Sequence, residues 1–256
     1  MDMQNAVVIV TGGASGLGEA TVRHVAELGG KAAILDLALE KGQALVKELG
    51  RERVMYVQTD VTCESSVQAA IEHVAGSFGT IHVAVNCAGI GLAQKTLSRN
   101  GPHRLDHFAK VVTVNLIGTF NVIRLAAEQM AGNEPNGHGE RGVIINTASV
   151  AAFEGQVGQV AYSASKAGVV GMTLPVARDL APVGIRVMTI APGLFDTPMF
   201  DQLPRSAREA LGAQVPFPQR LGMPKEYAML AAQIIQNPML NAETIRLDGG
   251  IRMQPR

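Results

Sequence analysis

The chain has 256 residues, of which 47% are hydrophobic and 17% charged, a composition that supports a large core and excludes an intrinsically disordered chain. Its 22 basic and 22 acidic side chains cancel, so no positive field directs it to nucleic acid or to an anionic membrane surface. No apolar run reaches ~18 residues, so no membrane-spanning segment is expected.

The cysteines and histidines indicate a protein without a metal site. Cys63 and Cys87 form neither a CxxC pair nor a cluster with histidine, and no HExxH motif occurs. An enzyme in a reducing compartment is therefore expected. The first residues lead into an apolar run without a basic region or a cleavage site, which favours a cytoplasmic location. A mitochondrial-matrix location stays open, because a trimmed transit peptide would leave the same chain.

Seven short apolar runs predict β-strands, and the longer amphipathic stretches between them predict helices. The strands are predicted at residues 6–10, 31–36, 54–60, 81–89, 142–149, 185–193 and 243–250. Several of the helical stretches end at Gly or Pro. Because strands and helices alternate, we predict one α/β domain over residues 1–256, with a doubly wound parallel sheet of about seven strands and helices on both faces.

Three segments interrupt this alternation. Residues 93–107 and 131–142 are polar and rich in turn-forming residues, and are predicted to be loops. Residues 194–222 are longer, partly apolar, and follow the sixth predicted strand. Because ligands bind beyond the carboxyl ends of strands in open α/β sheets, we predict that this last segment forms a substrate lid.

The segment TGGASGLG, residues 11–18, follows the first strand and opens the first helix, as expected of a dinucleotide-binding turn. Gly12 is expected to permit the tight turn, Gly16 the close approach of a pyrophosphate, and Gly18 the close packing of the helix. The N-terminus of that helix would supply amide donors and a favourable dipole for the phosphates.

The acidic residue at the end of the second strand, Asp36, indicates which nucleotide binds. Its carboxylate can accept hydrogen bonds from the ribose hydroxyls and would repel the 2′-phosphate of NADP. Ser15 and Leu37 stand where an NADP site usually has a basic side chain, and both are uncharged. NAD is therefore the predicted cofactor. The alternative is that Asp36 only caps the following helix.

The chain resembles the short-chain dehydrogenase/reductase family over essentially its whole length. The motifs that carry the resemblance, in order, are TGGASGLG, NCAG (86–89), VNLIGT with Asn115, Ser149, YSASK (162–166) and PG (192–193) with Thr197. The one departure is Cys87, where the family usually has a second Asn. The resemblance implies a Rossmann fold, a nicotinamide cofactor and, usually, a homotetramer.

The predicted catalytic residues are Ser149, Tyr162, Lys166 and Asn115. Tyr162 and Lys166 are four residues apart and therefore share one face of a helix. An ammonium about 4 Å from the phenol, at an effective dielectric constant of about 20, would bring the tyrosine pKa from ~10 to roughly 7, so that Tyr162 can act as general acid and base. Ser149 can hold the substrate oxygen, or can simply cap a strand end. By resemblance, Asn115 supports a water and proton relay to Lys166, which also holds the nicotinamide ribose.

The remaining predicted contacts follow the ends of the strands. The full cofactor set is Gly12, Ser15, Gly16, Leu17, Gly18, Asp36, Leu37, Asp60, Val61, Asn86, Ala88, Gly89, Tyr162, Lys166, Pro192, Gly193 and Thr197. By resemblance, Asp60 and Val61 lie beside the adenine and Thr197 reaches the carboxamide; Asp60 has a helix-capping role as its alternative. The predicted substrate contacts are Ser149, Gln159, Tyr162, Leu194, Phe195 and Leu203, with Met199 and Phe200 in the same apolar wall or, alternatively, in the core.

The neutral, apolar lid favours a substrate with a hydrophobic body. The predicted reaction is the NAD-dependent interconversion of a secondary alcohol and a ketone. A closer resemblance within the family, over RGVIINTASVAAFEGQVGQ and GIRVMTIAPGLF, implies 3-hydroxyacyl-CoA and 3-oxoacyl-CoA as the leading pair. The alternatives are a hydroxysteroid or other hydrophobic alcohol and, outside enzymes, a nucleotide-sensing binding module.

The loop at residues 93–107 carries Lys95, Arg99, His103 and Arg104 with only Asp106 opposing them. One hypothesis is that this loop contacts the phosphates of coenzyme A. The alternative is a solvated loop with scattered charges.

Overall fold

The computed structural model describes residues 1–4, 6–198 and 204–255. Its strands are Val7–Thr11 (β1), Lys31–Asp36 (β2), Val54–Gln58 (β3), Val83–Asn86 (β4), Leu97–Ser98 (β5), Gly101–Pro102 (β6), Gly142–Thr147 (β7), Ile185–Pro192 (β8) and Thr244–Leu247 (β9). Seven of them form one sheet in the order β3-β2-β1-β4-β7-β8-β9, and every pairing in it is parallel. The predicted doubly wound α/β fold is confirmed, because each predicted strand overlaps one strand of this sheet.

Helices connect the parallel strands. They are Gly16–Glu27 (α1), Leu39–Leu49 (α2), Glu64–Phe78 (α3), Leu105–Val112 (α4), Gly118–Ala131 (α5), Val160–Leu180 (α6), Arg205–Gly212 (α7) and Pro224–Gln236 (α8). A π-helical segment, Thr113–Ile117, joins α4 to α5, and a 3₁₀ turn, Val150–Ala152, follows β7.

The apolar strands are buried because helices cover both faces of the sheet. Alternate residues of β1 illustrate this: Val8 and Val10 belong to a core shared with α1 and α8, whereas Val7 and Ile9 belong to a core shared with α3 and α5. A strand buried on both faces has no polar side to present, so its sequence reads as a continuous apolar run rather than an alternation.

Two of the irregular segments contain short elements that the sequence did not indicate. Residues 97–102 form an antiparallel hairpin of two-residue strands, in which Gly101 has a φ of +105° that favours glycine. Helix α7 lies within the segment predicted as a lid. The base of that segment is closed by a parallel bridge between Phe195 and Gly222. Neither element has the length over which hydrophobic periodicity gives a clear signal.

One helix has the length and apolar composition of a membrane-spanning helix. It is the 27-residue continuous helix Leu105–Ala131, with a mean hydropathy of 1.3 over its most apolar 18 residues, of which 44% are buried. Charged and polar residues interrupt its apolar runs, so counting uninterrupted runs did not identify it. In the fold it packs against α3, α6, β4 and β7, as a core helix of the sheet does.

The sheet order reverses between β1 and β4, which lie side by side although β2 and β3 separate them in sequence. The loops that follow β1 and β4 therefore diverge and leave a crevice at the carboxyl ends of the strands, where ligands of such sheets bind. The site described below lies there.

Candidate active site

The glycine-rich loop between β1 and α1 adopts the backbone conformation that its glycines allow. Gly12 and Gly16 have φ values of +64° and +55°, in the left-handed region. A Cβ atom on Gly18 would lie 2.2 Å from the carbonyl oxygen of Gly12, so α1 can pack against the loop only without a side chain there. Helix α1 begins at Gly16, so its free amide groups open toward the crevice.

Asp36 connects this loop to the start of α2. Its carboxylate oxygens accept hydrogen bonds from the backbone amides of Ala14, at 3.0 Å, and Ala38, at 2.9 Å. The carboxylate thus occupies a fixed position at the edge of the cleft. The second contact also resembles the capping role that was the alternative for this residue, so the two roles are compatible.

A cleft of about 600 Å³ runs along the ends of β1, β2 and β4. The predicted cofactor residues that line it are Gly12, Ser15, Gly16, Leu17, Gly18, Asp36, Leu37, Asp60, Val61, Ala88, Gly89 and Thr197. Asn86 is buried, and its side chain donates to the side chain of Asn146 on β7 at 2.9 Å. Its amide therefore supports the ends of the two strands, while Ala88 and Gly89 border the cleft.

Several residues at this cleft have no motif of their own. The most notable is Lys110 on α4, the one basic side chain among the described residues that line the cleft. Val114, one helical turn later, lies beside it. Nothing in the sequence around Lys110 distinguishes it from a solvated helix residue; only the packing of α4 along the crevice brings it to the cleft.

A second cavity of about 370 Å³ continues from this cleft and holds the chemical groups. Ser149, from the end of β7, and Tyr162 and Lys166, from α6, all line it. Pro192 and Gly193, predicted as cofactor contacts, lie at its edge rather than in the first cleft. Gly89, Leu17 and Thr197 border both spaces, so a ligand in the first cleft can reach the residues of the second.

Lys166 is buried, and its Nζ atom donates to the carbonyl oxygen of Thr147 at 2.7 Å. The ammonium lies 5.8 Å from the centre of the Tyr162 ring. Burial lowers the pKa of Lys166 to about 8, so the side chain is mostly charged at neutral pH and loses its charge at moderately alkaline pH.

The surroundings of Tyr162 change its pKa in both directions. Burial raises the pKa of Tyr162, while a hydrogen bond with the side chain of Ser149 lowers it. At the 5.8 Å that separates the ammonium from the ring centre, and at an effective dielectric constant of about 20, the attraction between Lys166 and a phenolate is about 3 kcal/mol, or about two pKa units. The ammonium therefore favours the phenolate by an amount of the order that the sequence predicts.

Ser149 and Gln159, two predicted substrate contacts, lie in the same cavity as Tyr162. Ser149 begins the 3₁₀ turn, where its Oγ accepts the amide of Ala151 at 3.1 Å, and it keeps its hydroxyl proton to donate. Gln159 precedes α6, and its Oε1 accepts the amide of Gln156 at 3.0 Å. Both side chains line the cavity. Ser149 thus has the cap contact that was its alternative role and also lines the cavity.

Asn115 lies in the π-helical segment and is fully buried. Its Nδ2 donates to the carbonyl oxygen of Ile90 at 2.9 Å and to Ser165 Oγ at 3.1 Å, and its Oδ1 accepts the amide of Ile90 at 2.8 Å. A Cβ atom on Gly89 would lie 3.3 Å from this Oδ1 and 3.5 Å from Lys166 Nζ. Asn115 thus fixes the chain after β4 and faces the same small space as the lysine, where the predicted water relay would pass.

The carbonyl that holds Lys166 belongs to a buried polar group that the sequence did not indicate. Thr147 Oγ1 is 2.8 Å from the hydroxyl of Tyr227 on α8 and 3.6 Å from the sulfur of Cys87. Burial raises the pKa of Tyr227 and of the Cys87 thiol, so both stay protonated. Cys87, the departure from the family pattern, is therefore accommodated as a small side chain within a hydrogen-bonded group.

The apolar wall of the cavity comes from chain segments that are far apart in sequence. Leu194 and Phe195 are buried and line the cavity, as do Leu211 on α7 and Met253 beyond β9. The first two were predicted; the last two lie in no recognisable motif. The predicted substrate contact Leu203, together with Met199 and Phe200, lies outside the described residues.

The first cleft fits a dinucleotide, because glycine positions remove the side chains that would fill it and a helix N-terminus faces it. No group of three or more potential metal ligands occurs among the described residues. The second cavity presents a phenol with a neighbouring ammonium, a serine hydroxyl and an apolar wall. That set can exchange a proton with a substrate oxygen held beside a bound nucleotide.

Comparisons with known proteins agree with this geometry. Residues 6–208 match the family model described as short chain dehydrogenase. The chain is 60% identical to human 3-hydroxyacyl-CoA dehydrogenase type-2 over 251 residues, which are 97% of this chain and 96% of that protein. It is 55% identical to the Drosophila melanogaster protein of the same name over 255 residues, 99% and 100% of the two chains.

A solved structure is also similar, the crystal structure of 3-hydroxyacyl-CoA dehydrogenase type-2 from Mycobacterium avium. It superposes with a TM-score of 0.94 at 46% identity and covers 100% of this chain and 98% of that one. The family resemblance predicted from the motifs is therefore confirmed. The chain belongs to the short-chain dehydrogenase family, and it is an oxidoreductase that uses a nicotinamide cofactor on a small-molecule substrate.

Proposed function

We propose that the protein interconverts 3-hydroxyacyl-CoA and 3-oxoacyl-CoA with NAD as its cofactor. The observation that carries the proposal is the convergence of Ser149, Tyr162 and Lys166 on one apolar-walled cavity that opens into the nucleotide cleft. Relatives named for this activity match 97% and 99% of the chain.

The residues of this chain supply the proton transfer. In the oxidation direction, Tyr162 as phenolate removes the proton of the substrate hydroxyl, and in reduction the phenol returns it. Ser149 donates a hydrogen bond to the substrate oxygen and so holds it within reach of the tyrosine. A nicotinamide cofactor, when bound in the adjoining cleft, would supply the hydride acceptor or donor and, when oxidised, a positive charge.

Lys166 has two proposed roles. Its ammonium lowers the pKa of Tyr162 by about two units, as derived above. It also lies close to Gly89, at the junction of the two spaces, where it can hold the ribose next to the nicotinamide. Asn115 is proposed to place a water molecule in the same junction, through which protons reach the lysine.

The proposed preference for NAD over NADP depends on Asp36. Its carboxylate is fixed by two backbone amides at the edge of the cleft. A 2′-phosphate beside it would meet a negative charge of like sign, whereas ribose hydroxyls can donate hydrogen bonds to it. Leu37, which follows, offers no compensating cation.

The coenzyme A portion is proposed to extend toward the 93–107 segment. Lys95 lines a groove of about 470 Å³ together with Gln156, and Gln156 also lines the catalytic cavity. Arg104, by contrast, is ion-paired with Asp106. Lys95 is therefore the better candidate for a phosphate contact.

This contact can be tested with two substrates that differ in their phosphates. Lys95→Glu is expected to raise KM for acetoacetyl-CoA and leave KM for the truncated pantetheine thioester unchanged. Arg104→Glu serves as the matched control. If Lys95→Glu changed KM equally for the two substrates, the proposed phosphate contact would be wrong.

We further propose a homotetramer, in keeping with the family resemblance. Exposed apolar side chains on the helix Leu105–Ala131 and on α6 support it; they are Leu105, Ile117, Phe120, Val160 and Leu174. Sedimentation equilibrium measures the assembly directly.

Residues 194–222 are proposed to act as the substrate lid, since Leu194 and Phe195 border the cavity at the base of this segment.

The decisive experiment is a screen of NADH absorbance with acyl-CoA thioesters of different lengths against steroid alcohols. We expect turnover of 3-oxoacyl-CoA and 3-hydroxyacyl-CoA with NAD(H) and weaker turnover of the steroids. Tyr162→Phe should abolish turnover while NADH binding stays near the wild-type value. A wild-type enzyme that oxidises only steroid alcohols would overturn the proposed substrate, and full activity of Tyr162→Phe would remove the tyrosine from the mechanism.

A further inference from the structure

One side chain in the wall of the catalytic cavity comes from a part of the chain that carries no motif. Met253 lies beyond β9, yet it lines the same cavity as Ser149 and Tyr162. Met253 packs in one hydrophobic cluster with Leu194 and Leu211. Both leucines also line the cavity. The thioether therefore forms part of the apolar surface that a hydrophobic substrate would contact.

A hydrogen bond to a partly buried ion pair holds the backbone at Met253 in place. The amide of Met253 donates to Glu154 Oε2 at 3.2 Å. The two carboxylate oxygens of Glu154 accept hydrogen bonds from Arg246 of β9, at 2.7 and 3.0 Å, and Arg252 lies 3.4 Å away. Glu154 and Arg246 are each about three-quarters buried, with 24% and 22% of their side chains exposed, so this bidentate pair is screened less than a surface pair.

The residues that follow Met253 are hydrogen-bonded to the loop that precedes helix α6. The amide of Val157 donates to the carbonyl oxygen of Pro255 at 3.1 Å, and Gln156 Nε2 donates to that of Gln254 at 2.9 Å. Gln156 itself lines the catalytic cavity. Met253 thus lies between two anchored points, its own amide on Glu154 and, just after it, the contacts of Gln254 and Pro255 with the Gln156 side chain and the Val157 amide.

From this placement we propose that Met253 is a specificity-determining residue that sets the length of acyl chain accepted beside Tyr162. The inference rests on the proposed 3-hydroxyacyl-CoA dehydrogenase function. A methionine side chain is apolar along its length and adapts its shape to a neighbouring hydrocarbon. Because its backbone is anchored, the volume of the side chain, rather than movement of the segment, decides how much of the cavity is open to substrate.

Changes in side-chain volume at this position therefore have opposite expected effects. Met253→Ala removes the thioether arm and opens the wall, so an acyl chain longer by a few methylenes can be buried. Met253→Trp fills the same space and excludes long chains. A difference of one or two methylenes in an apolar site changes kcat/KM by roughly tenfold or more, so the effect is measurable.

The test is the profile of kcat/KM with NADH over 3-oxoacyl-CoA substrates from acetoacetyl-CoA to 3-oxohexadecanoyl-CoA. Met253→Ala should raise the ratio of long-chain to short-chain kcat/KM about tenfold, and Met253→Trp should lower it by a similar factor. Met239→Ala is the matched control, since Met239 is 89% exposed and borders neither cavity. Met253→Phe replaces the tryptophan variant if that variant does not fold.

Two outcomes would count against the inference or its basis, and they are distinguishable. A chain-length profile that is the same in wild type, Met253→Ala and Met253→Trp overturns the role of Met253. If the wild type turns over no acyl-CoA at any length, the proposed function fails instead. The variants are then compared on hydrophobic alcohols of increasing size, where an unchanged size preference again overturns the role.

Discussion

Replacing Lys166 by methionine should shift the pH dependence of alcohol oxidation, because its ammonium stabilises the phenolate of Tyr162. At 5.8 Å from the ring centre and an effective dielectric constant of about 20, that stabilisation is about 3 kcal/mol. The variant should therefore require about two pH units more alkaline conditions to form the phenolate. Near pH ~7.5, kcat/KM for oxidation is expected to fall about 100-fold.

The shape of the pH profile separates this charge effect from a loss of cofactor binding. The pKa of Lys166 is about 8, so the wild-type enzyme loses the ammonium as pH rises through that value. The two enzymes should therefore converge at alkaline pH, and the two groups titrate as a coupled pair. Titration of NADH binding by fluorescence reports the ribose contact independently.

The control for this experiment is Lys166→Arg, which keeps a positive charge that does not titrate in this range. Its kcat/KM should stay closer to wild type near neutral pH than that of Lys166→Met. A deficit in Lys166→Met that is constant at every pH, or an unchanged alkaline limb, would refute the electrostatic role and leave only cofactor positioning.

Three further perturbations test other parts of the structure. Asp36→Ala should lower the ratio of NAD to NADP kcat/KM, and an unchanged ratio would contradict the assignment of that carboxylate. Gly18→Ala should lose nucleotide affinity and at least about 1–3 kcal/mol of stability, because its Cβ would lie 2.2 Å from the Gly12 carbonyl oxygen; Gly76→Ala, with nothing within 4 Å, is the control and should be neutral or stabilising in urea unfolding. Burial lowers the pKa of His82, whose Nδ1 accepts a backbone amide at 3.0 Å, so the unfolded state binds the proton more readily. Stability should be full above about pH 6.5 and fall as pH decreases through that value, and a urea midpoint that is the same at pH ~5 and ~8 would argue against it.

The fold could be predicted from the sequence because it depends on local rules. Continuous apolar runs reveal strands that are buried on both faces, and the alternation with amphipathic segments leads directly to a doubly wound sheet. The glycine loop was readable for a similar reason. Gly12 and Gly16 take backbone conformations that other residues avoid, so the requirement is written in the residue type itself.

The distance between the Lys166 ammonium and Tyr162, and hence its effect on the tyrosine pKa, could not be predicted from such local rules. A spacing of four residues places Tyr162 and Lys166 on one helix face, but side-chain packing sets their separation. The lysine donates to the Thr147 carbonyl and lies 5.8 Å from the centre of the Tyr162 ring, a separation that corresponds to about two pKa units.

By itself, then, the amino-acid sequence determined the layered sheet and the glycine turn, since both follow from residue types at short spacing, and it predicted the acid–base pair through the family resemblance. Only the tertiary structure decided which distant side chains complete the site. Lys110 reaches the first cleft, Tyr227 hydrogen-bonds the side chain of Thr147, and Met253 lines the second cavity. Each depends on where a helix or a terminal segment crosses the sheet edge, a global property that no local pattern of residues encodes.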